Sequence, residues 1–157
     1  MEIQLLVIGK NSSSTLETAT KVYLERLSHY VPYAVRVLPD VKNTKNMSED
    51  QQKEGEGKVF LGAVQPSDFV VLLDERGKEY TSMEFSAYLS GKMASGLKRL
   101  IFVVGGPYGF SPAMYARADG KISLSKMTFS HEMIRLFFTE QVYRAMTILR
   151  HEPYHHE

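Results

Sequence analysis

The densest chemistry in the chain lies in its tail. Arg150-His-Glu-Pro-Tyr-His-His-Glu157 holds three histidines and a tyrosine. An imidazole titrates near neutral pH and can carry a proton. A tyrosine ring can stack on a nucleobase. Tyr154 and His155 are therefore candidates for proton transfer and stacking on a base. Histidines also suggest a metal, but the spacing is not H-E-x-x-H, and none is expected. The structural alternative is a frayed terminus. Upstream, Glu140 and Arg144 stand four residues apart. At that spacing they read as a surface ion pair of about 0.3–0.5 kcal/mol. Arg144 could instead hold a phosphate or a base, because its planar fork suits both.

Two further segments could hold a ligand. Val103-Val-Gly-Gly-Pro-Tyr-Gly109 ends a β-branched run in glycines, which let backbone approach a ligand closely. It is neither G-x-G-x-x-G nor a phosphate loop, and a tight turn explains it equally well. Leu124-Ser-Lys-Met-Thr-Phe129 places small hydroxyls and apolar side chains before a helix. Such a loop can enclose an adenine. It also reads as a cap, with Thr128 or Ser130 as N-cap and Phe129 as a hydrophobic staple.

The elements that must position these groups alternate. Strands are expected at Ile3 to Ile8, Tyr33 to Leu38, Phe69 to Leu73, Leu100 to Val104 and Lys121 to Leu124. Helices follow Ser12–Thr15 (with Leu16, Ala19, Val22, Tyr23 and Leu27 as the apolar face), Ser48, Thr81, Ser111 and Ser130. Ser48 with Gln51 and Thr81 with Glu84 are capping-box patterns, and Pro112 takes the favoured first helical position. Gly55, Gly57 and Gly62 each weaken the second helix by about 1 kcal/mol, so it is expected to be mobile or irregular. Asp74-Glu75-Arg76-Gly77 reads as a turn. In the last helix Ile134, Phe137, Phe138, Val142, Ala145, Ile148 and Leu149 form a stripe for a core or a dimer interface. The alternation implies one α/β domain over 1–157, with a mainly parallel sheet flanked by helices and ligands beyond the C-terminal strand ends.

Composition narrows the partners. The 157 residues carry 19 basic and 18 acidic side chains, a net charge of +1. A domain that grips naked RNA by bulk charge is normally far more basic. RNA, if the substrate, must be recognised by shape, by a few placed groups or as part of a ribonucleoprotein. There is no cysteine, which excludes a thiol nucleophile and suits the cytoplasm. No apolar run approaches the roughly 18 residues of a membrane helix.

Taken in order, the glycine run, Ser123-Leu-Ser-Lys-Met-Thr-Phe-Ser-His131, Glu140-Gln-Val-Tyr-Arg-Ala145 and Pro153-Tyr-His155 resemble the ribosomal RNA large subunit methyltransferase H family of the SPOUT class. Leu-Leu-Val-Ile-Gly-Lys10, Tyr23-x-x-Arg-Leu27 and Pro39-Asp40 fit the same pattern, and the resemblance spans the chain. It implies a minimal SPOUT fold with a C-terminal trefoil knot. It also implies a homodimer that methylates N3 of a pseudouridine in 23S ribosomal RNA on the assembled 70S ribosome, with S-adenosylmethionine as cofactor. By position, Leu73, Gly105, Leu124, Ser125, Lys126, Met127, Thr128 and Phe129 would bind that cofactor. Arg144, Tyr154 and His155 would act on the base, with Glu140 organising Arg144 and His155 taking the imide proton. Many members have glycine just before the terminal Tyr-His, where this chain has Arg150-His151-Glu152. The alternatives are a SPOUT enzyme for another RNA or a ribose hydroxyl, a non-catalytic ribosome-binding or assembly factor, and a flavodoxin-like module.

Overall fold

The computed structural model describes residues 1–156. Its elements are β1 (Glu2–Ile8), α1 (Ser14–Leu27), β2 (Tyr33–Leu38), α2 (Glu49–Ala63), β3 (Phe69–Glu79), α3 (Ser82–Ala94), β4 (Arg99–Val104), α4 (Pro112–Arg117), β5 (Gly120–Ser123) and α5 (His131–Leu149), with a short 3-10 turn at Thr44–Asn46. The strands form one five-stranded sheet in the order β2-β1-β4-β3-β5. Every pairing in it is parallel. The α/β architecture with a parallel sheet follows the sequence reading.

Both faces of the sheet are covered, as a parallel sheet requires. The period-two alternation of strand side chains divides them. Ile3, Leu5, Val7, Leu100, Phe102 and Val104 point toward α1, α3 and α5, where they meet Leu27, Phe85, Leu89, Phe138, Val142 and Ala145. Leu6, Val70, Leu72, Ile101 and Val103 point the other way, onto Phe60 of α2 and Phe110 and Met114 near α4. At the centre of the first layer the rings of Phe102 and Phe138 lie 4.6 Å apart. No helix among the described residues is long and apolar enough to cross a membrane.

The capping patterns set the helix starts. Ser48 and Thr81 each form a complete capping box, and Ser13, Ser111 and Ser130 cap α1, α4 and α5. Ser130, not Thr128, is the cap of α5. Phe129 meets Phe137 edge-on at 5.2 Å.

Three expectations are corrected. Val22 is exposed on α1, whose buried positions are Thr20 and Leu27. α2 is a continuous helix despite its glycines. Two of them serve close approach: a Cβ on Gly55 would meet Val41 at 3.1 Å, and one on Gly57 would meet Ser111 Oγ at 2.6 Å, whereas Gly62 faces open space. Finally, the Asp74–Gly77 turn interrupts a strand without ending it. Leu73 and Lys78 both pair with Ile122 of β5, so residues 74–77 bulge out of the ladder. Gly77 is required there, since a Cβ would sit 2.6 Å from the Ile122 backbone nitrogen. Bulges re-aim side chains, and this one turns Asp74, Glu75 and Arg76 toward a cavity.

Candidate functional site

The C-terminal ends of β3, β4 and β5 open into a cavity of about 570 Å³. That volume is within the range of about 300–1,000 Å³ usual for ligand sites. Its walls come from the β3 bulge, the glycine run after β4 and the loop before α5. Seven of the eight residues expected to bind cofactor line it: Leu73, Gly105, Leu124, Ser125, Met127, Thr128 and Phe129. Lys126 does not. It turns outward, with its ammonium 3.8 Å from Glu79. The loop is shaped from within, as Met127 N–H donates to Ser125 Oγ at 2.9 Å and Ser123 Oγ donates to the Ser125 carbonyl at 3.0 Å.

Three residues not singled out from sequence belong here as well. Tyr115 of α4 donates a short hydrogen bond to Asp74 Oδ2, and Arg76 N–H donates to Asp74 Oδ1 at 2.9 Å. Burial, and then the Asp74 carboxylate, push the Tyr115 phenol up to about 12. It therefore stays a neutral donor across the physiological range. The sequence signal for Asp74 and Arg76 was their place in a polar turn directly after a strand. Tyr115 carried none.

The remaining candidates form a second cluster. Arg144 Nη2 donates to Glu140 Oε1 at 2.6 Å, and the same oxygen accepts from the Tyr154 hydroxyl at 2.8 Å. The Arg144 guanidinium lies 4.8 Å from the Tyr154 ring centre, and its Nη1 lies 3.1 Å from His155 Nδ1. The surface-pair reading of Glu140 and Arg144 fails, because the two side chains are only 16% and 25% exposed. Glu140 is the hub that holds Arg144 and Tyr154 side by side. Burial first, then hydrogen bonding with Tyr23 and Glu140, raises the Tyr154 phenol well above its ordinary value, so it is no base near neutral pH. An arginine only donates. His155 Nδ1 is therefore the accepting nitrogen, and a neutral ring carries its proton on Nε2.

The tail is folded, not frayed, through residue 156. His151 N–H donates to the Ile148 carbonyl at 3.0 Å and Glu152 N–H to the Thr147 carbonyl at 2.9 Å. This is a Schellman closure. Its pivot is His151, with φ at +57°, where glycine is the usual residue. Tyr30 then anchors the tail by donating to Glu152 at 2.6 Å. Glu157 lies outside the described residues. No group of three or more metal-ligating side chains occurs among the described residues. A left-handed non-glycine residue costs about 1–2 kcal/mol, partly offset by glycine's greater loss of chain entropy. His151→Gly is thus expected to stabilise the fold by about 0.5–1 kcal/mol, read as a higher urea midpoint. A lower midpoint would show that the tail leaves α5 by another path.

The sequence has known relatives. A family model described as "Predicted SPOUT methyltransferase" matches residues 1–155. The chain is 62% identical to the ribosomal RNA large subunit methyltransferase H of Parabacteroides distasonis, with all of both chains covered. It is 61% identical to the protein of that name from Porphyromonas gingivalis and 54% identical to that of Bacteroides thetaiotaomicron, again with full coverage of both.

Proposed function

The chain belongs to the ribosomal RNA large subunit methyltransferase H family of SPOUT methyltransferases, and from that premise we propose that it methylates N3 of a pseudouridine in 23S ribosomal RNA on the assembled 70S ribosome. The methyl donor is S-adenosylmethionine. One observation carries the reading. A cofactor-sized cavity and an arginine–tyrosine–histidine cluster occur in the same protomer, and the cluster residues are not among those lining that cavity. A homodimer accounts for this separation: in the proposal, the cluster of one protomer meets the cavity of the other. An exposed apolar pair supports this: Phe129, just before α5, and Phe137, on it, expose 38% and 37% of their surface beside Glu140, while Phe138, Val142 and Ala145 of the α5 stripe are buried in the core.

The cavity fits the donor. Leu73, Leu124, Phe129 and Ile134 give apolar walls for an adenine. Gly105 keeps the floor open: a Cβ there would already press on the Phe110 ring at 3.1 Å. The bulge carboxylates Asp74 and Glu75 supply acceptors and negative charge beside a cationic ligand. When bound, the donor supplies a methyl group activated by a sulfonium. The protein's part is alignment, which can be worth several kcal/mol, and handling of the N3 proton.

The cluster handles that proton. Tyr154, held neutral, stacks on the base. When the base docks, Arg144 Nη1 leaves His155 for the base while Nη2 stays on Glu140. That movement releases Nδ1, the nitrogen with the available lone pair, and His155 takes the N3 proton there. Glu140 keeps Arg144 and Tyr154 oriented throughout. The C-terminal trefoil knot belongs to the same proposal, supported by the way the loops after β4 and β5 close on one cavity. So does a cytoplasmic location, where ribosomes are found.

The near-zero net charge favours a preformed substrate surface over free RNA. The test is methyl transfer to 70S ribosomes, isolated large subunits and naked ribosomal RNA, all lacking the modification. Ribosomes are expected to be methylated at least about tenfold faster than naked RNA. Equal rates, or a preference for naked or transfer RNA, would sink the ribosome assignment.

A further inference from the structure

Helix α2 buries a carboxylate against the glycine run. Glu56 is only 6% exposed, and the glycines on either side of it let the helix come close enough to place it there. A Cβ on Gly106 would collide with both Glu56 carboxylate oxygens, so Gly106 is shaped to receive it. Glu56 Oε2 takes one long hydrogen bond, from Gln52 Nε2 at 3.4 Å, and Oε1, itself buried, has no hydrogen-bond partner among the described residues. Burial raises its pKa, partly countered by Gln52 and by the nearby His131. A buried, half-satisfied carboxyl is costly to the fold. A sequence that retains one beside a cavity has an acceptor waiting for a donor.

That cavity is distinct from the cofactor cavity but touches it. It encloses about 460 Å³ above the ends of β1 and β4, room enough for a nucleobase. Val104, Gly105, Gly106, Pro107 and His131 line both cavities. Four more charged side chains border it, Lys10, Asp40, Glu132 and Arg135, and the last two are tied to their neighbours. Glu132 accepts from Ser12 and Ser13. The Arg135 fork donates to the Ile8 carbonyl at 3.0 Å and to Asn11 at 3.2 Å.

We infer that this second cavity receives the acceptor base and that Glu56 accepts a hydrogen bond from its N1–H. The inference rests on the pseudouridine reading above and deepens it. Pseudouridine is joined to its sugar through carbon, so its ring keeps an N1–H. In uridine that nitrogen carries the sugar. An acceptor placed for N1–H therefore separates two bases of the same composition and nearly the same shape. Such a site discriminates strongly against an analogue that lacks the donor.

The test uses Glu56→Leu, which removes the acceptor at similar volume. Replacing a half-satisfied carboxyl by an apolar group is expected to leave the melting temperature unchanged or higher. The kcat/KM is measured on 70S ribosomes bearing pseudouridine or uridine at the target, and S-adenosylhomocysteine affinity is measured by calorimetry. Wild type is expected to prefer pseudouridine by about tenfold or more. In Glu56→Leu the preference should shrink to about twofold through loss of rate on pseudouridine, with cofactor-product affinity unchanged. An unchanged preference overturns the inference. So does a parallel fall in S-adenosylhomocysteine affinity, which would give Glu56 to the cofactor's amino-acid end. If Glu56→Leu fails to fold, Glu56→Met, which keeps the length of the side chain and has no oxygen acceptor, is judged by the same two readouts. A wild type that methylates neither ribosome would remove the proposed function itself, and the role of Glu56 with it.

Discussion

Arg144→Ala is expected to lower kcat/KM on ribosomes by about 100- to 1,000-fold, the usual loss when one charge-stabilising donor is removed. The cofactor cavity contains no atom of Arg144, so S-adenosylmethionine affinity should stay within about twofold of wild type. The loss should fall mainly on kcat, because the guanidinium is worth most where negative charge develops on the base. Stability should change little, since Glu140 keeps the Tyr154 hydroxyl as a donor at 2.8 Å. The dimer reading adds a second arm. Arg144→Ala and Gly105→Trp, a variant meant to block the cofactor cavity, should each be inactive as homodimers. The mixed dimer pairs an intact cavity from one protomer with an intact Arg144 from the other. It should recover about half of the wild-type rate, one working site of two. A mixed dimer as inactive as its parents would place both groups in one protomer.

Phe138→Ala carries the largest expected cost to the fold, about 3–5 kcal/mol. Phe138 is fully buried, with Phe102 at 4.6 Å and Phe85 at 5.9 Å between ring centres. With Val142 and Ala145 it seats α5 on the sheet, and it lies two residues before Glu140. A domain of this size has only about 5–15 kcal/mol in total. The variant should show a large fall in urea midpoint, and residual activity should fall with it as the Glu140 cluster loses its platform. A change below about 1 kcal/mol would mean that α5 is held mainly by its polar ties, Arg135 to Ile8 and Glu132 to Ser12.

Local signals were sufficient for most of the architecture. The serine and threonine caps, the two capping boxes and Pro112 mark helix starts through bonds made within four residues, so the sequence displays them directly. The strands follow from short β-branched runs bounded by glycine or proline. What sequence concealed was mostly long-range. The Asp74–Gly77 bulge looks like a turn because its residues are turn formers. Only pairing with Ile122, more than forty residues away, keeps it within a strand. Gly55 and Gly57 of α2 cost helix propensity locally and recover it through close packing on Val41 and Ser111. A charged residue flanked by glycines in a helix was the one visible hint of Glu56.

The candidate site divides the same way. The segments around Gly105 and Leu124–Phe129 were legible because each is a loop following a strand, and a parallel sheet sends such loops to one edge. Lys126 was carried along by continuity of the segment, whereas alternation around the loop turns it toward Glu79. Glu140 and Arg144 were legible as a pair but not as a hub. Tyr154 returns to Glu140 only because the His151 pivot reverses the chain after α5. A histidine in place of the usual glycine gives no sign of that reversal.

The most direct test of the account is the position of the transferred methyl. Ribosomes lacking the modification are incubated with the protein and labelled S-adenosylmethionine, and the 23S RNA is digested and analysed by mass spectrometry. The account predicts a single labelled nucleoside, pseudouridine methylated at N3. Label on a ribose, on another base or on RNA outside the large subunit would contradict it, as would cofactor binding with no transfer at all.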